Sequence, residues 1–110
     1  MTDLHDRSAT GTIRVEAEGP ATCVRLVGEI DSALRQQASD CMGLVLLAGL
    51  PVVVDGSLTT FIDSSGLAFV LQLNRAVGEA GLDLRLRDPG RVLTQALEMI
   101  GMAGAIPPEA

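Results

Sequence analysis

Few residues in this chain could do chemistry, and the most suggestive stand together: Phe61-Ile62-Asp63-Ser64-Ser65-Gly66-Leu67. An Asp and two serines before a helical apolar pattern can cap a helix, accepting bonds from the free N–H groups of its first turn. The same serines, held at a helix start, can equally be hydroxyls that another molecule modifies, and the residue types fit both roles. Elsewhere the chemistry is sparse. His5 is the sole histidine, and Cys23 and Cys41 have neither C-x-x-C nor ligand spacing, so no metal site is expected and the cysteines read as small hydrophobes. Ser64 lacks a G-x-S-x-G elbow and a nearby base, which argues against a hydrolase. No phosphate-cradling glycine motif occurs, so neither catalytic residues nor a cofactor are expected.

The rest of the chain must position that segment. Ile13, Val15 and Ala17 alternate with Arg14, Glu16 and Glu18, the mark of a half-buried strand. Gly19-Pro20 turns the chain into a second strand over Thr22–Ile30, which implies an antiparallel hairpin. Asp31-Ser32 offers a helix cap, and Leu34, Ala38, Cys41, Met42 and Val45 make one apolar helical face. Val52-Val53-Val54 is an unbroken β-branched run ending at Asp55, as expected of a central strand buried on both faces. A loop over Gly56–Ile62 leads to a second helix, from about Ser64 to Ala80. Leu82, Leu84 and Leu86 read as another strand, and Asp88-Pro89 as cap and first residue of a third helix through Ile100. Ala105-Ile106 suggests a short final edge strand.

The order ββαβαβα predicts an α/β fold. A leading antiparallel hairpin and parallel β-α-β units form a small mixed sheet with helices mainly on one face. One domain over residues 11–110 with a flexible tail at 1–10 is expected. The tail is polar and acidic, unlike a signal peptide, and the longest apolar stretch is too short to span a bilayer. A cytoplasmic protein without membrane insertion follows. With a net charge of −6 and only two aromatic residues, direct nucleic-acid binding is not expected.

The second helix carries more apolar residues than one face requires. Leu67, Phe69 and Leu73 are therefore expected either in a deeply buried helix or in a docking face. Gly66 inside its first turn is read as supplying open space and close backbone approach, as suits a serine that another molecule must reach.

Val52-Val53-Val54-Asp55, then Phe61–Leu67, together with Gly28-Glu29-Ile30-Asp31, resemble the signature of the STAS domain, specifically of bacterial anti-sigma factor antagonists. The resemblance runs from Thr12 to Gly101. It implies partner switching. The unphosphorylated protein would bind an anti-sigma factor that is also a serine kinase, freeing a sigma factor. The kinase would phosphorylate the serine after Asp63, which is Ser64, and a serine phosphatase would reverse the mark. Asp31, Asp55, Asp63, Ser65, Gly66, Leu67, Phe69 and Leu73 would then contact partners. The alternative within the same resemblance is a STAS module that does not switch, similar to the accessory subunit of a lipid-transport ATPase or a stress-signalling scaffold.

Overall fold

The computed structural model describes residues 10–109. The expected N-terminal tail, with His5, lies outside the described residues except for Thr10. The elements are β1 (Gly11–Glu18), β2 (Ala21–Ile30), α1 (Arg35–Ala48), β3 (Val52–Asp55), β4 (Thr59–Ile62), α2 (Ser64–Glu79), β5 (Leu84–Arg87) and α3 (Val92–Met99). A turn of 3-10 helix over Ser32–Leu34 leads into α1.

β2 is the axis of the five-stranded sheet. Along one side it pairs antiparallel with β1, from Gly11 opposite Gly28 to Glu18 opposite Ala21. Along the other side it pairs parallel with two strands in succession. Thr22–Arg25 lie beside β3, and after a register shift at Gly28 and Glu29 the remainder lies beside β4, ending with Ile30 opposite Ile62. Gly28 sits at that shift with φ of +77°, a conformation that favours glycine, and an added Cβ would lie 2.5 Å from the Thr10 carbonyl oxygen. β5 completes the sheet beside β3.

The alternation of the strands separates two faces. Ile13, Val24, Leu26, Val52, Val54, Leu84 and Leu86 join one apolar core with residues of all three helices, including Cys41, Val70, Leu73 and Leu93. Cys23 and Val53 are also buried but lie outside that cluster, on the helix-free face. There the cover is ionic. Arg25 bridges Glu16 at 2.8 Å and Asp55 at 3.2 Å, while Arg87 reaches Asp55 at 3.6 Å, Glu109 at 2.7 Å, and Glu18. The unbroken valine run of β3 is thus buried on both sides, as its lack of alternation requires.

Four details differ from the sequence expectation. Thr59–Ile62, expected in a loop, is a strand, because Gly28–Ile30 of β2 extends beyond β3 and offers it a pairing edge. β5 begins at Leu84 rather than Leu82. α3 begins at Val92 behind Arg91, whose φ is +60°; Asp88 caps from outside, its Oδ2 accepting from the Thr94 amide and hydroxyl at 2.7 Å each. The expected final strand at Ala105-Ile106 is instead a single parallel bridge between Leu86 and Pro108.

Candidate functional site

The site lies where β2 and β4 end side by side. Ile30 and Ile62 are register partners in a parallel pair, and adjacent strands lie about 4.8 Å apart. The next residues, Asp31 and Asp63, therefore leave the sheet together. Each caps the helical turn it enters: Asp31 Oδ1 accepts from the Ala33 amide and Asp63 Oδ1 from the Gly66 amide, both at 3.0 Å. The Asp63 amide in turn donates to the Ile30 carbonyl at 3.2 Å, fixing the start of α2 against the end of β2.

With Asp63 as the cap, Ser64 is the first helical residue, and both Ser64 and Ser65 are exposed. A helix start leaves its first amides without intrahelical partners, and the macrodipole favours negative charge there. The Ser64 hydroxyl is thus open to solvent at a position where a phosphate is electrostatically tolerated. Asp31 and Ser65 share the wall of a cleft between α1 and α2, about 510 Å³ in volume and floored by Ile30, Leu34 and Phe69. Arg35 lines the same cleft and makes no ion pair among the described residues.

The expected partner residues divide. Asp31, Asp63 and Ser65 gather around Ser64. Asp55 does not: it belongs to the helix-free face, with 6% of its side chain exposed. Burial alone would raise its carboxyl. Hydrogen bonds from the Ser57 hydroxyl and amide, then the Arg25 guanidinium and the charge of Arg87, outweigh that and hold it below the ordinary carboxylate value. It anchors the loop after β3 and ties β2 to β5, and adds nothing to the negative patch at Ser64.

Leu67, Phe69 and Leu73 are core residues, 5%, 7% and 0% exposed, so the docking face expected of them is corrected. α2 packs against β4 and β5 as well as α1 and α3, and these neighbours bury Leu67, Phe69, Val70, Leu73 and Val77. At Gly66 the open space is corrected, and the close backbone approach is what remains. The residue is buried, and an added Cβ would lie 2.5 Å from the Ile30 carbonyl oxygen and 2.6 Å from Ile62 Cγ1. Its role is to let α2 approach the ends of β2 and β4, not to open a path to Ser64.

Exposed apolar side chains occur along β4, a segment expected from sequence to be a loop. Leu58 is 55% and Phe61 50% exposed, just before and within β4. Their signal was the outward position of Phe61 between buried Thr59 and Ile62, which is visible only once the segment is known to be a strand. Among the described residues no cluster of metal-ligating side chains occurs, and no helix is long and apolar enough to cross a membrane.

A mixed sheet built on a doubly paired strand, with a capped serine helix at its end, defines a class of small α/β interaction domain. A family model described as "Mlab, STAS domain" matches residues 13–108, and the chain belongs to the STAS family. Solved structures agree. An anti-sigma factor antagonist from Mycobacterium paratuberculosis is 25% identical, with 89% of this chain and 84% of that one covered and a TM-score of 0.71. The anti-sigma factor antagonist SpoIIAA in its unphosphorylated form is 20% identical over 90% of this chain and 89% of that one, with a TM-score of 0.68. The phosphorylated form of SpoIIAA from Bacillus is 19% identical over 90% and 92%, with a TM-score of 0.66. At 19–20% identity the SpoIIAA likenesses establish the fold alone. No curated protein sequence matches the chain.

Proposed function

We propose that this chain is an anti-sigma factor antagonist that binds an anti-sigma factor serine kinase while unphosphorylated, and that phosphorylation of Ser64 ends the binding. The kinase is thereby held away from its sigma factor until it marks Ser64, and a serine phosphatase resets the cycle. The chain itself performs no catalysis.

The observation that supports this most is the exposed Ser64 at the first position of α2, directly after a cap that leaves its hydroxyl free. A phosphate there adds about −1.5 to −2 charges. The helix dipole stabilises it by about 0.3–1 kcal/mol, so the domain keeps its fold. Asp63 and Asp31 are already beside it, and a docked partner would have to desolvate all three anions. A penalty of about 3 kcal/mol weakens a complex roughly a hundredfold. The docking surface is expected to join Ser64 and Ser65 to the half-exposed Phe61 and Leu58, with Asp31 and Asp63 at its rim.

The test is incubation with the cognate kinase and ATP, followed by site-resolved mass spectrometry. Phosphate on Ser64 is the expected result; phosphate on Ser65, or on neither, overturns the assignment. One observation favours a second reading. The matching family model carries the name Mlab, which favours a STAS module that binds its partner without switching, such as a subunit of a lipid-transport ATPase. Affinity separates the two. A switching antagonist loses about a hundredfold in Ser64→Asp while Ser64→Ala binds normally, whereas a permanent subunit binds through both.

A further inference from the structure

We propose that β1 is a self-association edge, at which a second copy of this chain adds its own β1 in antiparallel register about a two-fold axis at Val15. β1 is the terminal strand of the sheet, and among the described residues nothing pairs with its outer side. The hydrogen-bonding parity of that side follows from one contact. The Ile13 amide donates to Gln37 Oε1 at 2.8 Å, so it points away from β2. Residues of the same parity, Val15 and Ala17, must also turn their N–H and C=O groups outward. Neither amide has a recorded partner among the described residues.

Charge selects the register. With Val15 opposite its own copy, Ile13 faces Ala17 and all outward groups meet in hydrogen-bonded pairs. Arg14 then stands directly opposite the second copy's Glu16, twice in the dimer. These are non-hydrogen-bonded positions, where side chains approach most closely. Arg14 is exposed and makes no ion pair among the described residues, and Glu16, which holds Arg25 through Oε1 at 2.8 Å, keeps its second carboxylate oxygen for it. Moving the axis by one residue in either direction sets Glu16 against Glu16 or Arg14 against Arg14, so the Val15 register is the one that complements itself. Isologous contacts of this kind close as dimers.

The helical side of the same edge adds an apolar cover. A notch of about 180 Å³ between β1 and α1 is lined by Val15, Cys41 and Leu44, and Leu44 is 54% exposed above it. In the paired arrangement the two Val15 and Leu44 side chains converge at the axis. Asp40, the carboxylate in the notch, already accepts from Gln36 at 2.9 Å. The cap from Gln37 to Ile13 competes with pairing and must be released, a familiar means of limiting edge association. β4 lies on the opposite side of β2, so pairing through β1 leaves both copies of Ser64 open.

Sedimentation equilibrium of the full chain tests the proposal without any partner present. A concentration-dependent rise in mass toward twice the monomer is expected, and a monomer persisting to about 1 mM overturns it. Arg14→Glu should weaken association about tenfold or more by replacing two opposite-charge pairs with like-charge ones. Gln37→Ala should tighten it by freeing the Ile13 amide. Circular dichroism confirms that each variant is folded, and because both residues are partly or wholly exposed, both folds should survive. Association unchanged by both substitutions places the contact elsewhere and refutes the β1 seam. Neither outcome bears on Ser64, whose phosphorylation is measured separately.

Discussion

Replacing Gly66 by Ala separates two accounts of why a glycine stands in the first turn of α2. If glycine were there only to expose the serine, alanine would be harmless or stabilising, since it is better in a helix by about 1 kcal/mol or less near an end. The packing says otherwise. The new Cβ would lie 2.5 Å from a backbone oxygen, Ile30 O, and 2.6 Å from Ile62 Cγ1. The oxygen belongs to β2 where it pairs with β4, and it already accepts from the Asp63 amide, so it cannot yield alone. α2 must therefore move outward by roughly 1 Å to restore ordinary contact near 3.5 Å. That shift stretches the Asp63–Ile30 hydrogen bond and loosens Leu67 and Val70 in the core. Overpacking of this kind costs about 1–3 kcal/mol, and after the helix-propensity gain a net loss of about 1 kcal/mol remains. For a domain of this size it lowers Tm by roughly 4–6 °C. Urea and thermal unfolding, followed by circular dichroism, measure it directly. A Gly66→Ala protein as stable as the parent, or more so, would refute the close-approach argument.

The two phenylalanines should behave in opposite ways: Phe69→Ala is expected to cost about 3–5 kcal/mol of stability in urea unfolding, because Phe69 is 7% exposed. Phe61→Ala, at a side chain 50% exposed, should leave stability within about 1 kcal/mol and, on the function proposed, weaken binding to the partner kinase about tenfold or more by calorimetry. Acid should destabilise the domain through the helix-free face. The Arg87 hydrogen bonds hold the Glu18 and Glu109 carboxyls down, and Asp55 is also lowered, so their contribution is present above the ordinary values of 4.5 and 3.8 and is lost as pH falls below them. Arg87→Met should therefore flatten the fall of Tm with pH on that acid limb; an unchanged slope would mean that the lattice does not stabilise the fold. Burial pushes the Cys41 thiol up to about 12 and raises Cys23 as well, so neither should react with a thiol reagent at neutral pH until the protein is unfolded, and rapid labelling of the native protein would contradict their burial.

Local chemistry made much of the fold legible. The alternation of β1, the valine run of β3 and the Asp31 and Asp63 caps are short-range signals, and the first serine after Asp63 is indeed the first exposed residue of a helix. What the sequence concealed depends on distant partners. Thr59–Ile62 has four residues and only two buried positions, too little alternation to announce a strand whose pairing edge lies some thirty residues earlier. Two apolar stripes on α2 could not be divided between core and partner without knowing that α1, α3 and the sheet surround it. The family resemblance places Asp55 among the partner contacts, but strand parity turns it to the helix-free face with Arg25 and Arg87. Gly66 was ambiguous for a simple reason. A missing side chain can leave space open or let another backbone fill it, and composition cannot distinguish the two.

The split pairing of β2 also bears on how the domain breathes. β3 is locked between β2 and β5, whereas β4 holds to the sheet through β2 alone, beyond the irregularity at Gly28 and Glu29. Detaching β4 does not require breaking the β2–β3 or β3–β5 ladders. Opening the segment from Leu58 to Ser64 would cost its pairing with β2, the Asp63–Ile30 bond and its packing on α2 and α3, and is expected at a free energy below that of global unfolding. A modifying enzyme that must draw a serine into an extended conformation would work against that segment's stability rather than that of the whole domain.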